Sequence, residues 1–197
     1  MFDDFRIYAE LGCRHIADLA GYDHILFVAA LAIPFRIRDW RRLAILVTAF
    51  TFGHSITLAL ATLQLVSVPS QLVEPLIPAT ILFMALDAYT SATPQRPENP
   101  VTLQRYGVAL LFGLIHGLGF STYLRALLGT EESIALPLLA FNVGLEIGQL
   151  LILSMVLAVG AVLVPAVLQR RRWVQLCVGV TGGLALLLLV QRLGAWS

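Results

Sequence analysis

The chain has 197 residues, a formal net charge of +1 and 58% hydrophobic residues, with a mean hydropathy of +0.84. Apolar stretches of about bilayer length recur along it, so we expect an integral membrane protein with a single domain over residues 1–197. The near-neutral charge argues against nucleic-acid binding, because the basic residues cluster only in short loops.

The first residues differ from a cleavable signal peptide, because no basic segment leads into a clean apolar core. The charged residues that interrupt them are Asp3, Asp4, Arg6 and Glu10. We therefore expect residues 1–16 to be a short extracytoplasmic segment before the first span, and that span to act as its own insertion signal. Cys13 and Cys177 should lie near opposite faces of the membrane, so we predict that they are unpaired.

Six segments are predicted to be transmembrane helices, since about 20 helical residues cover a hydrocarbon core of roughly 30 Å. The predicted spans are Ala17 to Phe35, Leu43 to Leu65, Leu72 to Ser91, Tyr106 to Leu128, Ile134 to Pro165 and Val174 to Leu193. The expected fold class is an all-α polytopic membrane helix bundle. The first span is the least apolar, because Asp18, Asp23 and His24 occupy its opening turns. A polar half-helix is tolerated only where it faces protein or water.

The charges in the loops predict the orientation by the positive-inside rule. Arginines follow the first span, lie between the third and fourth, and precede the sixth: Arg36, Arg38, Arg41, Arg42, Arg96, Arg105, Arg170, Arg171 and Arg172. The alternate loops, residues 64–71 and 129–133, contain none. Both termini are therefore predicted to lie outside the cytoplasm, at a bacterial inner membrane. The proline-containing segment Ser91 to Pro100 is predicted to be an extended cytoplasmic connector.

All four histidines lie in or at the edge of strongly apolar segments: His15, His24, His54 and His116. Ionisable groups are costly in a bilayer and are rarely kept there unless they pair, bind an ion or take part in chemistry. In the predicted topology, His24, His54 and His116 fall at similar depths on helices that run in opposite directions. We expect these three side chains to converge.

Polar residues at helical spacing support this convergence. Asn142, Glu146 and Gln149 stand at i, i+4 and i+7, so they share one face of the fifth predicted helix. Thr51 and Ser55 share a face of the second helix, together with Thr48. The hydroxyl stripe can donate hydrogen bonds to its neighbours. The predicted supporting polar shell consists of His15, Asp18, Thr51, Ser55, Asn142 and Gln149.

Glycines surround His116, at positions 113, 117 and 119. Small residues on a membrane helix allow another helix to approach closely. A close approach would bring histidine side chains from neighbouring helices within reach of a common ion.

The predicted donors suit a borderline divalent cation. His24, His54 and His116, with Asp23 and Glu146, offer nitrogen and oxygen ligands of the kind taken by zinc, nickel or cobalt. The alternative is that each histidine hydrogen-bonds across helices and only stabilises the bundle. Metal binding by the three histidines together is favoured, because they are three of the four histidines in the chain.

Two further positions have two interpretations each. His15, with Asp18 one turn later on the same face, is either a ligand for an incoming ion or an interfacial histidine in a turn stabilised by aspartate. Asp87 lies near the cytoplasmic end of the third span and is either an exit ligand or the partner of a loop arginine. The ion pair is slightly favoured for Asp87.

Four motifs, in the same order and over most of the chain, resemble the HupE/UreJ membrane proteins. They are Gly21 to His24 (GYDH), Thr48 to Thr57 (TAFTFGHSIT), Phe112 to Phe120 (FGLIHGLGF) and Phe141 to Gln149 (FNVGLEIGQ). Members of that family are associated with hydrogenase and urease gene clusters and are regarded as nickel permeases. The resemblance therefore implies transport of a divalent metal.

The resemblance also implies ligands. Asp23, His24 and His116 match the aspartate and histidines of the family's metal motifs, whereas His54 and Glu146 match positions typical of its second branch. The chain departs from the better-characterised branch in two ways. The histidine before the Asp-His pair stands nine residues ahead of His24, a longer interval, and a single histidine replaces the pair of the later motif.

Two functional classes follow, and transport is preferred. In a permease, the three histidines bind the ion, Asp23 or Glu146 offsets charge, and the bundle alternates access between the two faces. In an intramembrane zinc-dependent hydrolase, the histidines hold zinc, Asp23 or Glu146 acts as general base, and Ser55 orients an oxyanion. A metal-stapled accessory protein that does neither is the third possibility. The expected partners are the lipid bilayer, the metal ion and a second copy of the chain in a homo-oligomer.

Overall fold

The structure, a computed structural model, describes residues 2–91, 103–128 and 134–195. Its α-helices in these ranges are α1 (Phe2–Ile16), α2 (Asp23–Ala32), α3 (Trp40–Thr62), α4 (Ser70–Ser91), α5 (Leu103–Leu128), α6 (Ala135–Ala166) and α7 (Arg170–Gly194). A 3-10 turn at Ile37–Asp39 precedes α3, and no strand occurs among the described residues. The all-α class is confirmed. Residues 92–100 of the predicted connector and the predicted loop 129–133 lie outside the described residues.

Within the described residues, four stretches of helix are long and apolar enough to cross a membrane: Ile37–Thr62, Ser70–Ser91, Ala135–Val164 and Arg170–Gly194. They correspond to the second, third, fifth and sixth predicted spans. Helix α5 covers the fourth predicted span but is not one of these four. The two cysteines, Cys13 and Cys177, are free, as predicted.

The bounds predicted for the first span, Ala17 to Phe35, differ from the structure, where only Asp23–Ala32 within them is an α-helix. Helix α1 ends at Ile16, and α2 begins only at Asp23 and has 10 residues. The intervening residues form turns and bends in which the Asp18 carboxylate accepts a hydrogen bond from the Ala20 N–H at 2.8 Å. Aspartate side chains that bond to nearby backbone in this way compete with helix formation. Residues 1–16, expected to be a short segment before the span, are helical from Phe2 onward.

Helices α3 and α5 run parallel in close contact. Three glycines lie against backbone of the opposite helix, and the pairs are Gly53 with Leu110, Gly113 with Phe50 and Gly117 with His54. The Thr57 hydroxyl also donates a hydrogen bond to the Leu114 carbonyl at 2.7 Å. A side chain at any of these glycines would overlap backbone atoms, so glycine is what permits the close approach.

Helices α1 and α6 form a second parallel pair with the same register. The contacts are Gly12 with Phe141, Gly144 with Ala9 and Gly148 with Cys13. Each contact matches one contact of the α3–α5 pair. The residue on α1 is 41 positions before its α3 counterpart, and the residue on α6 is 31 positions after its α5 counterpart. The two pairs are therefore packed in the same way, although their sequences share little beyond the glycines.

The two pairs run in opposite directions. Phe120, towards the end of α5, stacks on Phe141, near the start of α6, with ring centroids 5.3 Å apart. At the other end of the bundle, Arg105 near the start of α5 lies over the ring of Phe35. Phe35 in turn lines a groove together with Leu157, which lies towards the end of α6. The α1–α6 pair is thus inverted relative to the α3–α5 pair.

Helices α1 and α2 together follow the length of α6. Helix α1 packs on the first half of α6 through Gly144 and Gly148, and α2 lies beside the second half, near Val156. The far end of α2 is held by Arg170, which donates hydrogen bonds to the Ile33 and Phe35 carbonyls at 2.9 and 2.6 Å. The break between the two half-helices therefore lies at mid-height of the bundle.

Candidate metal centre

Four histidine side chains from four helices meet inside the bundle, next to the break between α1 and α2. His24, His54 and His116 are buried, and His15 at the end of α1 is half-buried. The ring centroid of His24 lies 4.7 Å from that of His15, 5.7 Å from that of His54 and 5.2 Å from that of His116. The structure thus brings together the three histidines that were predicted to converge and adds the fourth.

Most ring nitrogens in this cluster have no hydrogen-bond partner among the described residues. The unpartnered buried atoms are His15 Nε2, His24 Nε2, His54 Nδ1, His54 Nε2 and His116 Nδ1. A buried polar atom without a partner costs about 1–3 kcal/mol. Histidines that served only to tie helices together would use these atoms for hydrogen bonds. Unpaired imidazole nitrogens are instead suited to coordinate a metal ion.

His15, His24 and His54 form the tightest group. Each offers one ligand atom, and these atoms lie within 4.8 Å of one another. Nitrogen ligands about 2.1 Å from a tetrahedral ion are about 3.4 Å apart, so small side-chain movements would allow all three to coordinate one ion. His15 was assigned to the polar shell and is as close to the centre as the predicted ligands. The signal that could have found it is Gly12, one turn earlier, which seats α1 against α6.

His116 is oriented by Thr80, a residue that the sequence analysis missed. The Thr80 hydroxyl donates its only proton to the Ile77 carbonyl at 2.7 Å, so it accepts a hydrogen bond from His116 Nε2 at 2.9 Å. This network assigns the ring proton to Nε2 and leaves the Nδ1 lone pair free. Metal-binding histidines are typically held in this way by a partner on the second nitrogen. No spacing within α4 indicated Thr80, because its partner lies on another helix.

The predicted polar face of α6 meets the threonine face of α3. Thr48 donates a hydrogen bond to Glu146 Oε1 at 2.5 Å, and Thr51 contacts the Gln149 side-chain oxygen at 2.6 Å. Glu146 Oε2 is buried without a partner among the described residues, as is the side-chain oxygen of Asn142. Oxygen ligands are therefore available beside the histidines, but Glu146 is not part of the tight histidine group.

The remaining predicted residues lie around or away from the cluster. Asp23 is half-buried at the start of α2 and is also outside the tight group, and Asp18 is exposed in the break. Ser55 donates its hydroxyl to the Thr51 carbonyl of its own helix at 2.7 Å. Asp87 forms an ion pair with Arg105 at 2.9 Å. Asp87 is seven residues beyond Thr80 on α4, or about 10 Å along the helix axis.

A family model described as "HupE / UreJ protein" matches residues 1–192. The matched range contains all four histidines, the glycines of both helix pairs and the ion pair of α4 with α5. No curated protein and no solved structure matches the chain.

Proposed function

Because this chain belongs to the HupE/UreJ family, we propose that it is a membrane permease for a divalent transition metal of the nickel and cobalt class. The observation that carries the proposal is the cluster of four histidines with unpartnered nitrogens. The cluster lies between two oppositely directed helix pairs, beside an interrupted helix. Substrate sites of many transporters lie at such an interface between inverted repeats, next to discontinuous helices.

The topology we propose has six crossings. Helices α1 and α2 form one crossing interrupted at residues 17–22, and α3 to α7 form the other five. Both termini lie outside the cytoplasm, at a bacterial inner membrane, because Arg36, Arg105 and Arg170 gather at the opposite end of the bundle. Contacts among Phe35, Arg105 and Arg170 at that end support this orientation.

The distribution of ligands over the two helix pairs suggests how the ion is released. His15 belongs to the α1–α6 pair, whereas His54 and His116 belong to the α3–α5 pair, and His24 lies in the first turn of the second half-helix, α2. A movement of one pair against the other separates His15 from His54 and lowers the number of ligands. Close glycine contacts keep each pair rigid, so the movement would occur between the pairs rather than within them.

The carboxylates and the polar face have supporting roles in this mechanism. Asp23 and Glu146 offset the charge of the bound cation, and Gln149 and Thr51 link α6 to α3 beside the site. On the inner side, Asp87 would receive the ion after its bond to Arg105 opens. The metal ion and the bilayer are the partners that this mechanism requires, and a homo-oligomer stays a prediction.

The zinc-dependent hydrolase is the second candidate, because three histidines leave a fourth coordination position for water. One feature argues for transport over hydrolysis. The Ser55 hydroxyl donates to its own helix and so is not directed at an oxyanion.

The test combines metal content with flux. Elemental mass spectrometry of the purified protein is expected to find near-stoichiometric metal, which a His24→Ala/His54→Ala/His116→Ala variant loses. Proteoliposomes that contain a metal-sensitive dye should then show uptake of nickel or cobalt by the wild type alone. Bound metal without flux would favour the metal-stapled accessory protein. Tightly held zinc together with lipid or peptide hydrolysis would establish the zinc-dependent hydrolase. Absence of metal in well-folded wild type, even after supplementation, would overturn both.

A further inference from the structure

Helices α6 and α7 leave a groove between them that is floored by α2. One part, here called the inner part, has a volume of about 350 Å³, and its lining includes Arg36 and Arg170. Its second part, of about 390 Å³, runs along Leu26 and Ile33 of the α2 segment. The two parts share Val156 and Trp173, so they form one continuous feature, here called the α6–α7 groove.

The two parts of the groove differ in chemistry. The second part is lined almost entirely by apolar side chains, including Met155, Val159 and Leu176. Its one hydroxyl, on Thr181, donates to the Cys177 carbonyl of its own helix at 2.8 Å and so needs no other partner. This part offers nothing that would bind a polar ligand.

The inner part has a fixed positive charge. Arg170 donates hydrogen bonds through Nη2 to the Ile33 and Phe35 carbonyls, at 2.9 and 2.6 Å, and these bonds hold the guanidinium at the groove. An arginine has five N–H donors, so most of its donors are left for another acceptor. Arg36 is exposed beside it, and the nearby carboxylate of Asp39 accepts the Arg36 backbone N–H at 3.0 Å.

We propose that the α6–α7 groove binds an anionic phospholipid, with its phosphate at Arg36 and Arg170 and an acyl chain along the apolar part. Basic pockets between membrane helices on the cytoplasmic side bind anionic headgroups, and arginine pairs well with phosphate. A soluble anion would make no use of the apolar length. A zwitterionic lipid would bring its own ammonium group towards two arginines. Trp173, where the two parts meet, is a residue type enriched at the membrane interface.

Such a lipid would touch α2, the half-helix that carries His24, as well as α6 and α7. It would therefore support the position of α2, whose far end is otherwise held by Arg170. The proposal rests on the membrane topology proposed above and not on transport itself. Its failure and the failure of the permease proposal are distinguishable, because lipid binding and metal content are measured separately.

Native mass spectrometry of the detergent-purified protein, titrated with phosphatidylglycerol or phosphatidylcholine, tests the proposal. The wild type is expected to retain one phosphatidylglycerol in preference to phosphatidylcholine. In Arg36→Gln, the preference for phosphatidylglycerol over phosphatidylcholine should fall about fivefold, the effect expected from removing one arginine near an anionic surface. Arg171→Gln is the matched control, because Arg171 is exposed next to Arg170 but does not line the groove.

A second variant blocks the groove without changing charge. A Cβ at Gly160 would lie 3.4 Å from the Trp173 ring, so the larger side chain of Gly160→Leu would occupy the inner part. This variant should lose phosphatidylglycerol while its metal content stays that of the wild type. Equal affinity of the wild type for the two lipids, or equal losses in Arg36→Gln and Arg171→Gln, would overturn the proposal.

Discussion

Replacing Thr80 by valine tests whether the hydrogen bond on His116 Nε2 prepares the metal centre. Valine is close to threonine in size but has no hydroxyl, so Thr80→Val removes the acceptor that lies 2.9 Å from Nε2. The ring then loses the partner that holds its proton on Nε2 and its lone pair on Nδ1. Binding through Nδ1 should weaken, because the free ring can turn or change tautomer.

The expected loss follows from the role of Thr80 behind a ligand. Removing the partner of a metal-binding histidine typically lowers metal affinity 10- to 100-fold, or about 1.4–2.7 kcal/mol. In the metal-free protein, the buried N–H without an acceptor should lower the free energy of unfolding by about 1–3 kcal/mol. Thr80→Ser keeps the hydroxyl and should retain most of the affinity.

Competition with a chromophoric chelator in detergent measures the affinity for nickel, cobalt and zinc. The pH must be held constant, because protons compete with the metal for histidine. Thr181→Val is the matched control: Thr181 is also buried, and its hydroxyl bonds only within α7. If His116→Ala lost binding while Thr80→Val bound metal like the wild type, the tautomer argument would be refuted. If both variants bound normally, His116 would not be a ligand.

Three other predictions follow from the structure. Gly113→Ala should lower the thermal unfolding temperature, because its Cβ would lie 2.9 Å from the His54 backbone nitrogen. Gly107→Ala is the control and should not lower it, since nothing lies within 4 Å of a Cβ there. Equal unfolding temperatures of the two variants would contradict the close packing of α3 on α5. In a background with both native cysteines replaced by alanine, Glu10→Cys on the exposed polar face of α1 should react in cells with a membrane-impermeant thiol reagent, because charged side chains there need water. Leu151→Cys, on the exposed apolar face of α6, should stay unlabelled, and equal labelling would show that α1 does not face a water-filled approach. Asp87→Asn should lower metal uptake into proteoliposomes while metal content is retained; unchanged uptake would remove Asp87 from the exit route.

Hydropathy determined the five later helices. The predicted second to sixth spans agree with α3 to α7 to within four residues at every end. The reason is physical: a long apolar run has few ways to satisfy its backbone without water, and the helix is the simplest. The predicted bounds of the first span were wrong, because the helix there is interrupted by a local turn at Asp18 that apolar length does not indicate.

The chemistry of the site was also partly predictable. His24, His54 and His116 stand out because ionisable residues are rare in apolar segments, and the α6 polar face follows from helical spacing. Helical spacing indicates which side chains share one face of one helix. It cannot indicate which face of another helix lies opposite.

Only the tertiary structure decided that His15 joins the cluster and that Thr80 holds His116. The inversion of the α1–α6 pair relative to the α3–α5 pair is likewise a property of the packed bundle. Each of these depends on contacts between residues far apart in the chain, such as Gly12 with Phe141. The sequence by itself determined helices, glycines and polar residues, because these depend on local chemistry and hydropathy. Their meeting at one centre was decided by packing, because backbone contact at glycine sets the depth at which each side chain lies.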